Sequence, residues 1–229
     1  MQKAQGFRHE LKYGIDPFSY LVLRQRLSTV MRRDSHAGTD GRYQIVSLYF
    51  DNCCDKALRE KQDGINRREK FRLRRYNDDC SALFLEKKQK VNGLCLKTGC
   101  RIPQDVCIRL LSGELDWLPP DGHPLLQELD FQMKSQLLRP KTLVRYLWEP
   151  YVYEAGNVRI TFDMALQSGL AGIGFLDPKA VFVPAIEPGR MVLEVKYDAF
   201  LPSFIADALQ IGHIRTGAFS KYAVCRKFE

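Results

Sequence analysis

Apolar and polar residues alternate with a period of two over eight stretches of the chain: 7–13, 43–51, 68–77, 81–91, 94–102, 142–153, 157–163 and 191–198. The same stretches are rich in β-branched and aromatic residues, so each reads as a strand. Asn92-Gly93 falls between two of them and predicts a tight hairpin turn. Helical spacing predicts helices over 17–31, 104–112, 124–138, 202–210 and 218–228. Pro17, Pro124 and Pro202 stand at helix starts, where a missing N–H costs nothing. Eight strands with a few helices between them, and no repeat or low-complexity linker, predict one α+β domain over 1–229 built on an antiparallel barrel or large sheet.

Charge follows the alternation. In Arg68-Glu69-Lys70-Phe71-Arg72-Leu73-Arg74 every even position is cationic, while Phe71 and Leu73 point the other way. Glu86 and Lys88 oppose Leu83 and Leu85; Glu194, Lys196 and Asp198 oppose Leu193, Val195 and Tyr197; Arg159, Thr161 and Asp163 share one face. The ordinary explanation is a sheet with one wet face. Two details favour another. Glu-x-Lys occurs on three strands, at Glu10/Lys12, Glu86/Lys88 and Glu194/Lys196, and these faces carry Arg, Lys and Glu rather than the Ser and Thr of wet strands. If the sheet closes with this face inward, it lines a lumen with cations and carboxylates.

Composition narrows the chemistry. At 45% hydrophobic and 27% charged the chain has enough apolar material for a core, which excludes intrinsic disorder as its main character. No apolar run is long enough for a membrane span and no secretory signal is recognisable, so a cytoplasmic protein is expected. Lys and Arg number 35 against 27 Asp and Glu, a net charge of +8 that points to an anionic partner. The seven cysteines form no C-x-x-C pair and read as reduced thiols, and the four histidines are scattered. No RNA- or DNA-recognition signature accompanies the charge, so nucleic acid is not the expected partner.

A lumen of this kind suits phosphate chemistry. Arginine and lysine complement the charge of a polyphosphate chain, and carboxylates would hold a divalent cation. Phosphoryl transfer needs little beyond positioning and electrostatics, so an obvious base is not required. No P-loop motif is present. Arg67, Arg68, Lys70 and Arg75 are placed at a mouth of the lumen, where they would steer anions inward.

Seven segments in order resemble the VTC domain, the catalytic domain of the vacuolar transporter chaperone polyphosphate polymerase, within the triphosphate tunnel metalloenzyme superfamily. They are FRHELKYGI (7–15), YQIVSLYFDN (43–52), REKFRLRRY (68–76), LFLEKKQKVNG (83–93), VRITFD (158–163), VLEVKYDAFLP (192–202) and SKY (220–222). The resemblance implies an eight-stranded antiparallel β tunnel with flanking helices that binds ATP, triphosphate, pyrophosphate or polyphosphate with Mn2+ or Mg2+. It implies transfer of the ATP γ-phosphate to a growing polyphosphate chain. It assigns phosphate contacts to Lys12, Arg72, Arg74, Lys88, Arg159, Lys196, Ser220 and Lys221. Metal binding is assigned to Glu194 and, more weakly because Arg8 interrupts the superfamily's E-x-E-x-K, to Glu10.

One position departs from the family. The strand before VRITFD normally reads Y-x-R-x-A-[FY], with its arginine on phosphate; here Trp148 stands in place of that arginine. Arg145 has the opposite parity and should face away. Losing one charge-assisted contact in a shielded site weakens transition-state binding by about 2–4 kcal/mol. Three readings follow: an ATP-dependent polymerase, a triphosphate or polyphosphate hydrolase, and a non-catalytic polyphosphate- or nucleotide-binding module. The expected chain is of the soluble bacterial stand-alone type, without the regulatory domain or membrane helices of the eukaryotic assembly, so transport of product would fall to another protein.

Overall fold

The computed structural model describes residues 6–35, 37–114, 117–118, 122–169, 174–212 and 214–228. Ten strands and six helices form its described elements. The strands are β1 (His9–Ile15), β2 (Arg32–Arg33), β3 (Tyr43–Asp51), β4 (Arg67–Tyr76), β5 (Asp79–Val91), β6 (Leu94–Ile102), β7 (Arg139–Tyr153), β8 (Val158–Gly169), β9 (Phe182–Pro184) and β10 (Met191–Tyr197). The helices are α1 (Pro17–Val30), α2 (Lys56–Gln62), α3 (Gln104–Ser112), α4 (Pro124–Ser135), α5 (Ser203–Ala208) and α6 (Lys221–Cys225).

Eight strands pair antiparallel in the order β1-β10-β8-β7-β3-β4-β5-β6, with β2 and β9 appended to β7 and β8. The path is open. Its edges β1 and β6 meet at one bridge, where the Arg8 and Cys95 N–H groups each donate to the other's carbonyl, at 2.8 and 2.9 Å. Edges at opposite ends of one ladder can touch only if the sheet curls, so it encloses a tunnel.

Helices cover the outside of this curl. On one flank α1 and α5 bury Leu23, Leu27 and Ile205 against Ile160, Phe162, Leu193 and Val195. On the other, α3 and α4 bury Cys107, Leu110, Leu129 and Met133 against Leu48, Leu73, Leu85 and Ile102. The apolar parity of each strand is therefore spent outward, and truncating one of these leucines to alanine should cost about 2–5 kcal/mol. The charged parity is left facing inward, the reverse of a sheet with a wet outer face. The interior is not ionic throughout: α6 packs inside the curl, where Tyr222 and Cys225 join Tyr43, Ile45, Tyr49, Tyr146 and Trp148 in a third apolar cluster.

Local chemistry explains the elements. Asp16 caps α1 by accepting the Ser19 N–H at 2.8 Å, with Pro17 as its first residue. Asn92 and Gly93 have φ of 49° and 84°, the paired left-handed conformations that close a two-residue hairpin. Helix α2 was not expected, because KALREKQ shows no apolar stripe and buries only Ala57. The helix expected to reach 138 ends at Ser135, and Leu137 takes φ 57° as the chain turns into β7. Strand β8 outruns the expected 163 because a bulge opposite Arg145–Leu147, with Ala165 at φ 49°, carries it to Gly169. None of the seven cysteines is in a disulfide. Among the described residues no helix is long and apolar enough to cross a membrane.

Candidate functional site

Antiparallel register sets opposite charges face to face inside the tunnel. Glu10 lies opposite Lys196, Lys12 opposite Glu194, and Arg72 opposite Glu86. Two ionic groups result. In the first, Lys12 Nζ is 3.2 Å from Glu10 and 3.7 Å from Glu194, and Lys196 Nζ is 3.2 Å from Glu194. Lys88 Nζ donates to both Glu10 oxygens at 2.7 and 2.6 Å. Lys221 pairs with Asp163 and lies 3.8 Å from Glu194. In the second, Glu86 accepts from Arg72 Nε and Lys97 Nζ, each at 2.9 Å, and is 3.6 Å from Arg74 Nε.

Aromatic hydroxyls and rings join the two groups. Arg72 donates to the Tyr49 hydroxyl at 2.9 Å and Arg74 to the Tyr146 hydroxyl at 3.1 Å, while the Lys221 ammonium sits 4.6 Å from the Tyr146 ring centre. The position of Lys221 is fixed from below. Ser220 caps α6 by accepting the Ala223 N–H at 3.3 Å, and Tyr222 donates to Asp51 at 2.5 Å. The structure thus places the Ser220 hydroxyl as a helix cap beside the ionic group.

Burial and neighbours together set the protonation of these groups. Burial raises the Glu10 carboxyl and Glu194 raises it further, but Lys88, Lys12 and Lys196 outweigh both and bring it to about 2. Burial likewise opposes ionisation of Glu194 and Glu86, yet four lysines around the first and Arg74, Arg72 and Lys97 around the second hold each well below the usual carboxylate range. Asp163 goes the other way: burial raises it, Lys221 only partly compensates, and Glu194 adds repulsion. Lys196 is lowered by burial despite Glu194 and Glu10.

The tunnel wall also contains unspent polar atoms. Ser47 Oγ, Thr161 Oγ1, Arg74 Nε and Lys70 Nζ are buried and make no hydrogen bond. All of them lie on the inward parity. A native interior holds few such atoms, and each left unmade costs about 1–3 kcal/mol. Their concentration on one face leaves the wall with unused hydrogen-bonding capacity.

Of the residues expected from sequence, Lys12, Arg72, Arg74, Lys88, Lys196, Lys221, Glu10 and Glu194 are brought together. Arg159 is farther out. Its guanidinium is 3.5 Å from Asp34 and 5.7 Å from the Trp148 ring centre, and its side chain is 42% exposed. Trp148 faces inward beside Tyr43, and Arg145 faces outward, where it donates to Gln167 at 2.8 Å. Arg75 does not line a mouth: it is 2% exposed on the outer face and donates to the Phe175 carbonyl at 2.8 Å. Its odd parity is the reason.

Three charged members were missed. Glu86 and Asp163 had the right parity but were passed over as ligands. Lys97 was legible by counting from the Asn92-Gly93 turn, which fixes Lys97 opposite Lys88 and Gly99 opposite Glu86. A Cβ on Gly99 would lie 3.3 Å from Glu86 Cγ, so the missing side chain leaves room for that carboxylate. Among the described residues no group of three or more His, Cys, Asp or Glu side chains is arranged to hold a metal by itself. The carboxylates present are hard oxygen donors interleaved with lysines, which suits an ion that takes one or two protein ligands and completes its shell with phosphate and water.

The family profile described as "VTC domain" matches residues 7–228. No curated protein matches the chain. Among solved structures, the PH1819 protein from Pyrococcus horikoshii OT3 is similar with a TM-score of 0.49 and 13% identity, covering 97% of this chain and 99% of that one. A candidate adenylate cyclase (bh2851) from Bacillus halodurans gives 0.46 and 13%, with 82% and 81% covered. The PH1012 protein from Pyrococcus horikoshii OT3 gives 0.42 and 11%, with 88% and 85% covered.

Proposed function

The chain belongs to the VTC domain family, and on that premise we propose that it is a metal-dependent polyphosphate polymerase that transfers the γ-phosphate of ATP to the end of a polyphosphate chain inside its tunnel. The observation that carries this reading is the inward face itself. Lys12, Lys88, Lys196 and Lys221 surround Glu10, Asp163 and Glu194, while Arg72, Arg74 and Lys97 surround Glu86. Cations outnumber carboxylates, and several buried polar atoms still lack partners. A bound polyanion would supply those partners.

In the reaction, a terminal oxygen of the acceptor chain attacks the γ-phosphorus. The bond from that phosphorus to the β–γ bridging oxygen breaks, and ADP leaves. Both the attacking and the leaving oxygen are anionic, so no proton has to move. The lumen's task is to hold donor and acceptor in line and to stabilise charge on the equatorial oxygens. Arg72 and Arg74 present planar forks for this, rigidly held by Tyr49 and Tyr146, while Lys12, Lys88, Lys196 and Lys221 act as point charges. Arg159, at the Trp148 side, would hold a more distant phosphate.

Glu194 and Asp163 would hold Mn2+ or Mg2+. The fit rests on two buried carboxylates in electrostatic contact, hard oxygen donors on one wall of the lumen. When bound, the ion would supply positive charge that offsets the negative charge of the phosphates. Trp148, in place of a phosphate-binding arginine, favours a competing reading: a tunnel that binds polyphosphate without turnover.

Incubation with ATP and Mn2+, with and without pyrophosphate, separates the readings on a polyphosphate-staining gel. A ladder of chains that Glu194→Ala does not make is the expected result. Inorganic phosphate alone would identify a hydrolase, and tight binding without product would identify the binding module.

A further inference from the structure

The two mouths of the tunnel differ. Tyr43, Trp148 and Tyr76 pack edge to face at one, with Tyr43 5.1 Å from Trp148 and 5.7 Å from Tyr76 between ring centres. The other mouth, where β4 begins beside α2 and β5 runs into its hairpin with β6, is cationic. Register there sets Lys70 directly opposite Lys88, and two residues farther out Arg68 directly opposite Lys90. These are consecutive like-charge pairs on one face of adjacent strands, a destabilising arrangement. Lys61 of α2 adds a third cation within electrostatic reach of Arg68 and Lys90.

The nearby carboxylates are committed elsewhere. Glu69 pairs with Lys87 on the outer face, Glu60 lies 3.9 Å from Lys56, and Glu10 is taken by Lys88 and Lys12. Asp51 accepts from the Tyr222 hydroxyl and from the Asn52, Ala57 and Leu58 N–H groups. Among the described residues no carboxylate lies within ion-pair distance of Lys61, Arg68, Lys70 or Lys90. Lys70 Nζ is buried against the Tyr222 ring, 4.6 Å from its centre, without a hydrogen-bond acceptor. Lys88 is neutralised by Glu10, but Arg68 and Lys90 face one another with Lys61 nearby and no carboxylate in ion-pair range, and such like charges add nothing to the fold. They are explained if an anion runs between them, continuous with the lumen through Lys88.

We propose that this mouth is a second polyanion site, in which Lys61, Arg68, Lys70 and Lys90 hold the part of a linear polyphosphate that extends beyond the lumen. The inference rests on the reading that the lumen takes polyphosphate. Its consequence is chain-length dependence: a triphosphate, which the lumen can take alone, does not need the outer cations, whereas a long chain binds both sets.

The test is calorimetric titration of the full chain with triphosphate and with long-chain polyphosphate of several dozen units, at two salt concentrations. Wild type should bind the long chain more tightly and with a steeper salt dependence, since more counterions are released. The triple variant Lys61→Ala/Arg68→Ala/Lys90→Ala should lose on the order of tenfold in affinity for the long chain, with a flatter salt slope, and keep its affinity for triphosphate. The charge-keeping pair Lys61→Arg/Lys90→Arg should retain the preference. Equal affinities for the two ligands in wild type, or a triple variant that weakens both or neither, would overturn the outer site while leaving the lumen reading intact. Failure of wild type to bind either ligand would remove both.

Discussion

Two buried ionic groups sit on opposite faces of strand β7 and are built on opposite plans. Outside, Glu149 is fully buried at the centre and its oxygens accept from Tyr20 and Tyr151 hydroxyls at 2.7 and 2.9 Å and from Arg24 and Arg42 at 2.7 and 3.1 Å. Both arginine side chains are about a third exposed, and Arg42 Nη2 also donates to the Tyr20 hydroxyl at 2.7 Å. Inside, cations are buried along with the carboxylates, Arg74 at 6% exposed beside Glu86 at 4%, and some polar atoms on the wall are left unspent. The outer group is a finished clamp that ties α1 to the sheet, and its carboxylate is held below the usual range by its donors although burial raises it. The inner group is unfinished, as a binding site must be before its ligand arrives. Ion pairing alone does not distinguish clamp from site; the satisfaction of each polar atom does.

The contrast can be broken by substitution. Glu149→Ala strands Arg24, Arg42 and two hydroxyls, and removes the charge 3.9 Å from Arg33; it should cost about 3–5 kcal/mol of stability in denaturant unfolding, without a selective effect on phosphate affinity. Arg74→Met inside should do the reverse. It should lower kcat by roughly 10²-fold or more while leaving the unfolding midpoint nearly unchanged, because it removes a transition-state contact and an imperfectly paired buried charge. Equal losses of stability from the two variants would erase the distinction.

Trp148→Arg sharpens the comparison from the other side. An arginine there would lie opposite Asp163 across the β7–β8 ladder and should tighten triphosphate binding on the order of tenfold, measured by calorimetry. The smallest effect concerns Lys70, whose amine burial lowers to about 7, with Arg68, Lys88 and Lys61 adding to this and Asp51 only partly opposing it. Between pH 7 and the ordinary lysine range the unfolded chain binds a proton that the folded chain does not, so this residue makes stability rise with pH over that window. Lys70→Met should flatten that part of the profile relative to wild type when unfolding is followed at neutral and alkaline pH.

Strand parity made most of this legible in the sequence, because a strand gives every second residue one face, and over the Arg72/Arg74, Glu10/Lys12 and Glu194/Lys196 stretches the charged set alternates with an apolar one. The Arg72/Arg74, Glu10/Lys12 and Glu194/Lys196 faces, and the outward turn of Arg145, all follow from counting by two. What counting could not reach depends on packing between distant elements. Glu149 becomes a hub only when Tyr20 and Arg24, one helical turn apart on α1, dock over it. Helix α2 lacks a stripe, so its Lys61 could not be brought to the β4–β5 mouth. Lys221 was found by resemblance; its pairing with Asp163 required α6 to enter the curl.

The most direct test of the account is a crystal structure with triphosphate and Mn2+. The account predicts phosphates inside the curl, contacted by Arg72, Arg74 and Lys221, with the ion on Glu194. Triphosphate bound only on the outer surface, with the inward face unchanged, would contradict it.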